Sequence, residues 1–306
     1  MARPAKTREQ LKNSDASFNI LIHLTALVAI FVCAYPIYYT IIASISDPNA
    51  VITGKVLLWP VNLTWDSYRS VLRYALVWTG YKNTLLYTTA GTVWNLFLLI
   101  PASYAMAKGG LKGKKLIMVF FVFTMYFSGG TIPYYLLIKQ MNLINNPLVM
   151  ILPGGFSVFN MIITRTYFAN TFPVSLAESA RIDGAGELRV FIQIALPLSG
   201  AIVAVMALYH AVGHWNSFFS ALLFLNDSRY YPLQLVLRQV LIQNQGMTVD
   251  TGNMSTDEMA DLLRRKRLAE TMKYSLIIIA NLPILVAYPF AQKYFVKGVM
   301  IGSIKG

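Results

Sequence analysis

Residues 18 to 44 form a run of 27 without one Lys, Arg, Asp or Glu. About 20 apolar residues in a helix cover a hydrocarbon core of roughly 30 Å. A run of this length therefore selects a lipid environment. Five more charge-free runs follow, at 84–106, 116–138, 148–164, 198–225 and 274–291. The chain is 56% apolar and 13% charged, with a mean hydropathy of +0.52. Soluble domains carry roughly a quarter charged residues, so these values argue against a soluble enzyme and exclude a disordered chain. The expectation is an all-α, polytopic membrane protein with six spans in residues 18–291. External loops are expected at 45–83 and 226–273, a loop on the opposite side at 171–197, and tails at 1–17 and 292–306.

The first run is too long for the 7–15-residue core of a signal peptide and no small-x-small cleavage site follows it, so it reads as a retained anchor. Cys33, the single cysteine, lies inside it. One cysteine gives no intrachain disulfide and no cysteine cluster for a metal.

Short-loop Lys and Arg set orientation. Arg3, Lys6, Arg8 and Lys12 precede the first run, and Lys108, Lys112, Lys114 and Lys115 lie between the second and third. Both termini are therefore expected in the cytosol. A basic cluster at Arg264, Arg265, Lys266 and Arg267 falls in a long loop that this topology puts outside. Ser255 to Glu258 has capping-box spacing, and Met259, Leu262 and Leu263 share a helical face. This segment reads as an external amphipathic helix, with Arg264, Arg265 and Arg267 as candidates for docking an external partner; a helix lying on the bilayer surface is the plainer alternative. All thirteen acids lie outside the six runs. Ion-coupled carriers usually place an ionisable group at mid-membrane, so energy is expected from elsewhere.

The loop between the fourth and fifth runs is unusually regular. Ser175 to Glu178 again has capping-box spacing, and Asp183-Gly184 reads as a helix stop because Gly takes the left-handed residue after a helix at little cost. Val190, Phe191, Ile194 and Leu196 then recur at helical spacing up to Pro197, which fits the first turn of a following helix. This is a short helix, a sharp turn and a second helix.

At Glu178-Ser-Ala-Arg-Ile-Asp183-Gly184-Ala185, followed by Phe191, Ile194 and Leu196-Pro197, the sequence resembles the EAA loop of ABC importer permeases. Ser179 replaces the usual first Ala, and Gly200 stands where many members have a second Pro. Trp215-Asn216-Ser-Phe218-Phe219, Phe127-Ser-Gly-Gly130 and the tail from Tyr294 to Gly306 extend the likeness to carbohydrate permeases of the maltose type, in the subgroup handling complex oligosaccharides. The resemblance implies a type I importer fold and a coupling helix docked on a cytosolic ATPase. It also implies a tail at Lys297 to Gly306 that reaches the ATPase dimer. Partners implied are a second permease, two ATPases, an external solute-binding protein and an oligosaccharide. Residues implied for coupling are Glu178, Ala180, Arg181, Asp183, Gly184 and Ala185, with Glu178 and Arg181 as polar contacts.

The chain has no G-x-x-x-x-G-K-[ST] phosphate loop; Gly109 to Lys115 only echoes one. No cofactor is expected on this chain, ATP and Mg being bound by partners. There is no nucleophile–base pair, so it is not expected to be an enzyme.

Neutral polar side chains within spans should face the protein interior. Ser157, Asn160 and Thr164 share a helical face, His210 and His214 are four apart, and Trp215-Asn216 follow. Ser157, Asn160, His210, His214, Trp215 and Asn216 are candidate pathway residues. Helix-to-helix hydrogen bonding is the alternative, and an interfacial belt is an alternative for Trp215. Two histidines are too few for a metal site. The functional expectation is a permease of an ATP-driven oligosaccharide importer. The alternatives are a permease for amino acids or peptides, a self-sufficient carrier, or a basic membrane anchor for nucleic acid. The last lacks a basic face with interleaved aromatics.

Overall fold

The computed structural model describes residues 8–243, 267, 269–286, 288 and 289. Every element among them is helical. In chain order these are α1 (Arg8–Ser44), α2 (Pro48–Ile52), α3 (Asp66–Arg73), α4 (Ala75–Ala107), α5 (Lys114–Tyr126) and α6 (Thr131–Gln140). Then come α7 (Val158–Thr171), α8 (Val174–Ile182), α9 (Glu187–Val190), α10 (Leu196–Leu198) and α11 (Gly200–Trp215). The last are α12 (Phe219–Phe224), α13 (Leu233–Gln243) and α14 (Ala269–Val286).

Among the described residues three helices are long and apolar enough to cross a membrane: Phe18–Ser44 within α1, α4 and α14. Two bent pairs raise the number to five if each is one span. The expected six is not reached by length and composition among the described residues, for local reasons. The run at 116–138 breaks between Tyr126 and Thr131 with a bend of 110°, at Gly130 with φ +84°. The run at 148–164 is not helical throughout. Pro147–Met150 is a 3-10 turn, and α7 starts only at Val158, where the Ser157 hydroxyl accepts from the Asn160 N–H. With 14 residues, α7 is short for a crossing. The run at 198–225 begins at a break of 80° at Ser199 and ends its helix at Trp215. In the other direction, α4 starts at Ala75, inside the stretch expected as external loop.

The chain divides into two compact units, one from Met1–Val71 and Asn244–Ile278, the other from Leu72–Gln243 and Ile279–Gly306. In the first, Ile42, Ala43, Ala50, Val51 and Val56 form a small core with Tyr39 and Tyr274 packed on it. The Ser67 hydroxyl donates to Thr271 over 2.9 Å. The apolar surface of α1 from Phe18 to Phe31 is exposed, as a lipid-facing helix requires.

In the second unit α4 packs along α11, α7 and α13. Leu99, Met106, Met161, Ile202 and Met206 fill the seam. Small residues permit the close approach: a Cβ on Gly91 would lie 2.4 Å from the His214 ring. Such contacts replace the hydrophobic force that lipid removes.

Candidate functional site

The loop from α7 to α11 is where the sequence places coupling. Helix α8 starts after Pro173, whose φ of -70° suits a helix start. The expected capping box is not formed: Ser175 lies inside the helix, and its hydroxyl caps no N–H. The expected stop is formed. Gly184 has φ +80°, its N–H donates to Arg181 O over 3.0 Å, and Ala185 N–H donates to Ala180 O over 2.9 Å. This is a Schellman end, which satisfies two carbonyls left free by the last turn.

Val174, Glu178 and Ile182 recur at four-residue spacing, hence on one face. Val174 and Ile182 are 62% and 87% exposed. Glu178 is exposed between them and takes part in no ion pair among the described residues. Ala177, about 100° round the helix from Glu178, is buried.

Beyond the turn the second helix is continuous but irregular. Phe191–Ala195 is a π turn in which Leu196 N–H donates to Phe191 O, five residues back. Pro197 explains it, because a proline cannot donate to the carbonyl four residues earlier and its ring crowds that turn. Pro197 lies inside this helix, which runs to Leu198 before the break at Ser199, instead of opening α11 as expected.

Sequence reading missed Glu187. Its carboxylate pairs with Lys108 and also accepts from Arg181 Nε over 3.1 Å. The Lys108 hydrogen bond holds the Glu187 carboxyl below the usual carboxylate range, with both positive charges adding to it. Arg181, expected as an ATPase contact, thus has a partner inside the chain. Lys108 is the C-cap of α4. Arg165 Nε donates to Met106 O over 3.0 Å, and Lys114 Nζ to Ala107 O over 3.2 Å. Basic side chains, Lys114 of the loop after α4 among them, thus satisfy the end of α4. Just above, the Tyr104 ring lies 5.5 Å from Phe168, 5.9 Å from Phe172 and 5.1 Å from Phe191.

A second site lies where α4, α7 and α11 meet. Asn95 Nδ2 donates to His210 Nδ1 over 2.7 Å, and the Asn95 Oδ1 faces His214 Nε2 at 3.5 Å. Asn160 Nδ2 lies 3.4 Å from His210 Nε2. Asn95 and His210 are buried. They border a polar cavity of about 240 Å³ with His214, Tyr134, Ser217 and Ser220 in its wall.

Of the pathway candidates the structure brings together Asn160, His210 and His214. Ser157 caps α7, and Thr164 is buried with no partner for its hydroxyl. Trp215 is buried and its indole donates to Ala280 O over 3.0 Å, away from the cavity wall. Asn216 closes α11, its amide donating to Val212 O. Asn95 was missed; its signal was an amide four residues from Gly91 inside an apolar run. No group of three metal ligands occurs among the described residues. Arg264 and Arg265, the Ser255 to Leu263 helix and the Lys297 to Gly306 tail lie outside them. Arg267 donates to Asn49 Oδ1.

The family described as binding-protein-dependent transport system inner membrane component matches residues 77–301. The chain belongs to this family. It is 36% identical over 289 residues to the polygalacturonan/rhamnogalacturonan transport system permease protein YtcP of Bacillus subtilis (strain 168), across 94% of this chain and 98% of the relative. It is 40% identical over 271 residues to protein LplC of the same organism, across 89% of each. Among solved structures it matches a chain in the crystal structure of a bacterial ABC transporter involved in the import of the acidic polysaccharide alginate. That match has a TM-score of 0.82 at 31% identity, over 96% of this chain and 100% of the other. The protein is an ABC importer permease, a membrane component and not an enzyme; a partner ATPase hydrolyses the ATP. Membership implies ATPase partners, a binding protein and a second permease.

Proposed function

We propose that this permease imports oligosaccharides, with acidic chains the first class to test, and that α8 is its coupling helix. The names of the similar proteins support the substrate class. The observation that carries the coupling role is the α8 face itself, with exposed Val174 and Ile182 flanking a Glu178 that has no ion-pair partner among the described residues. Such a face fits an apolar groove with one cation in it. Burying one side chain the size of Ile182 contributes about 2 kcal/mol. Gly184 sets the end of the helix, and Ala180, Asp183 and Ala185 keep the turn small.

With α8 on the cytosolic side, both termini lie there too, in a bacterial cytoplasmic membrane. ATP and Mg stay on two ATPase subunits. The pathway then runs past Asn95, Asn160, His210 and His214, neutral groups suited to sugar hydroxyls. Ser157, Trp215 and Asn216 support this wall from behind. Arg264, Arg265 and Arg267 remain candidates for meeting the binding protein.

The test is uptake of labelled trigalacturonate, with maltotriose for comparison, into proteoliposomes holding the whole complex. ATP-dependent uptake of either supports import of oligosaccharides, and preference for trigalacturonate supports the acidic class. Uptake of neither, with amino acids or peptides carried instead, overturns the substrate class.

A further inference from the structure

One carboxylate, that of Glu187, meets cations from two separate parts of the chain. Lys108 closes α4, and Arg181 is in the last turn of α8. The side chains of Lys108, Arg181 and Glu187 are 30%, 38% and 55% exposed. Ion pairs this exposed contribute little to stability, so stability alone does not account for the arrangement. Its geometry joins Arg181 of α8, through Glu187 of α9, to Lys108 at the end of α4. Ala177 is the one buried residue of α8, whereas α4 continues upward to Asn95 at the polar cavity.

We propose that Glu187 is a positioning residue for energy coupling: it clasps Lys108 and Arg181 so that α8 and the end of α4 move as one body when ATP binds. The Tyr104–Phe191 contact backs the clasp on its apolar side. Glu187 need not touch the ATPase, nucleotide or substrate. It acts by making the displacement of α8 a displacement of α4. Without the carboxylate, α8 would follow the ATPase while α4 lagged. This inference rests on α8 being the coupling helix.

The experiment uses the complete complex in proteoliposomes, free of other cysteines, with Cys33→Ser. Spin labels go on Ser179→Cys in α8 and Ala105→Cys in α4, both exposed positions. Distances are measured without nucleotide and with ATP bound, so no transported solute is needed. With Glu187 present, the distance should be narrow and the same in both states. In Glu187→Gln it should broaden and shift on ATP binding, while Glu187→Asp, which keeps the charge, should recover most of the narrow distribution. Stimulated ATP hydrolysis should persist in Glu187→Gln, with ATP-driven opening of the permease weakened about five-fold, the lower end of coupling between linked sites. Identical distances in Glu187→Gln and wild type, in both states, would overturn the proposal. So would a large α8–α4 distance change on ATP binding with Glu187 in place. A separate variant, Ile182→Asp, checks the premise. If it assembles and hydrolyses ATP like wild type, the coupling-helix assignment fails, whatever the clasp shows.

Discussion

The side-chain nitrogen of Asn95 donates to Nδ1 of His210 across 2.7 Å, joining α4 to α11 beside a polar cavity. An imidazole that accepts at Nδ1 carries its proton on Nε2. The Asn160 side-chain amide lies 3.4 Å from that Nε2. The Asn95 amide is thus used on both sides, towards His210 and His214. If this cluster lines the pathway, Asn95→Leu should abolish uptake by the reconstituted complex while leaving its assembly and basal ATP hydrolysis intact. Loss of assembly together with uptake would assign the cluster to helix packing alone.

Gly91 bears on the same cluster by a different route. A methyl group there would overlap the His214 ring at 2.4 Å. Gly91→Ala should therefore push α11 from α4, at a cost of about 1–3 kcal/mol for an overpacked seam. The thermal midpoint of the purified complex should fall, and pairing with His214→Ala should restore most of it.

Gly184→Ala tests the end of the α8 helix. An L-residue in the left-handed region costs about 1–2 kcal/mol, and φ here is +80°. If α8 is the coupling helix, stimulated ATP hydrolysis should drop more than basal hydrolysis, because α8 loses its Schellman end. Equal activity in both assays would show that the turn tolerates the strain.

Much of this was legible in the sequence, and the failures have physical causes. Apolar runs located the helices because lipid demands long charge-free segments. They did not reveal the breaks at Gly130 and Ser199, since a broken helix and an intact one share the same composition. The stop at Gly184 was readable, being a local backbone effect. The capping box at Ser175 was not formed, because Pro173 lets the helix begin two residues sooner. Glu187 and Asn95 went unseen because their partners, Lys108 and His210, are distant in sequence. Trp215 drew attention as a pathway or interfacial belt residue, whereas its indole is spent on Ala280 O.

Trp215→Phe should therefore read as a structural change. Losing that buried hydrogen bond costs about 1 kcal/mol, more if Ala280 O is left unpaired. The complex should melt earlier, with its preference among solutes unchanged.

The Glu187 clasp also makes a pH and salt prediction. Its carboxyl is held below the usual range, so the ionised form is favoured by folding. That contribution is complete above the unfolded value of about 4.3 and is lost only as pH falls through the lower folded one. Transport per ATP should hence be flat between about pH 6 and pH 8, where carboxylates stay ionised. Raising salt from about 0.1 M to about 1 M shortens the screening length from roughly 10 Å to 3 Å and should reduce coupling, the same direction expected for Glu187→Gln. A fall in coupling between pH 8 and pH 6 would point to another titrating group.

The central claim is that this chain moves solute only when partner ATPases drive α8. Its most direct test is stimulated ATP hydrolysis and solute uptake, in the same proteoliposomes, by wild type and Glu178→Ala. The account predicts an assembled complex that loses both stimulation and uptake in the variant, and no uptake by the permease without ATPases. Solute uptake by the permease alone, undiminished by Glu178→Ala, would contradict it.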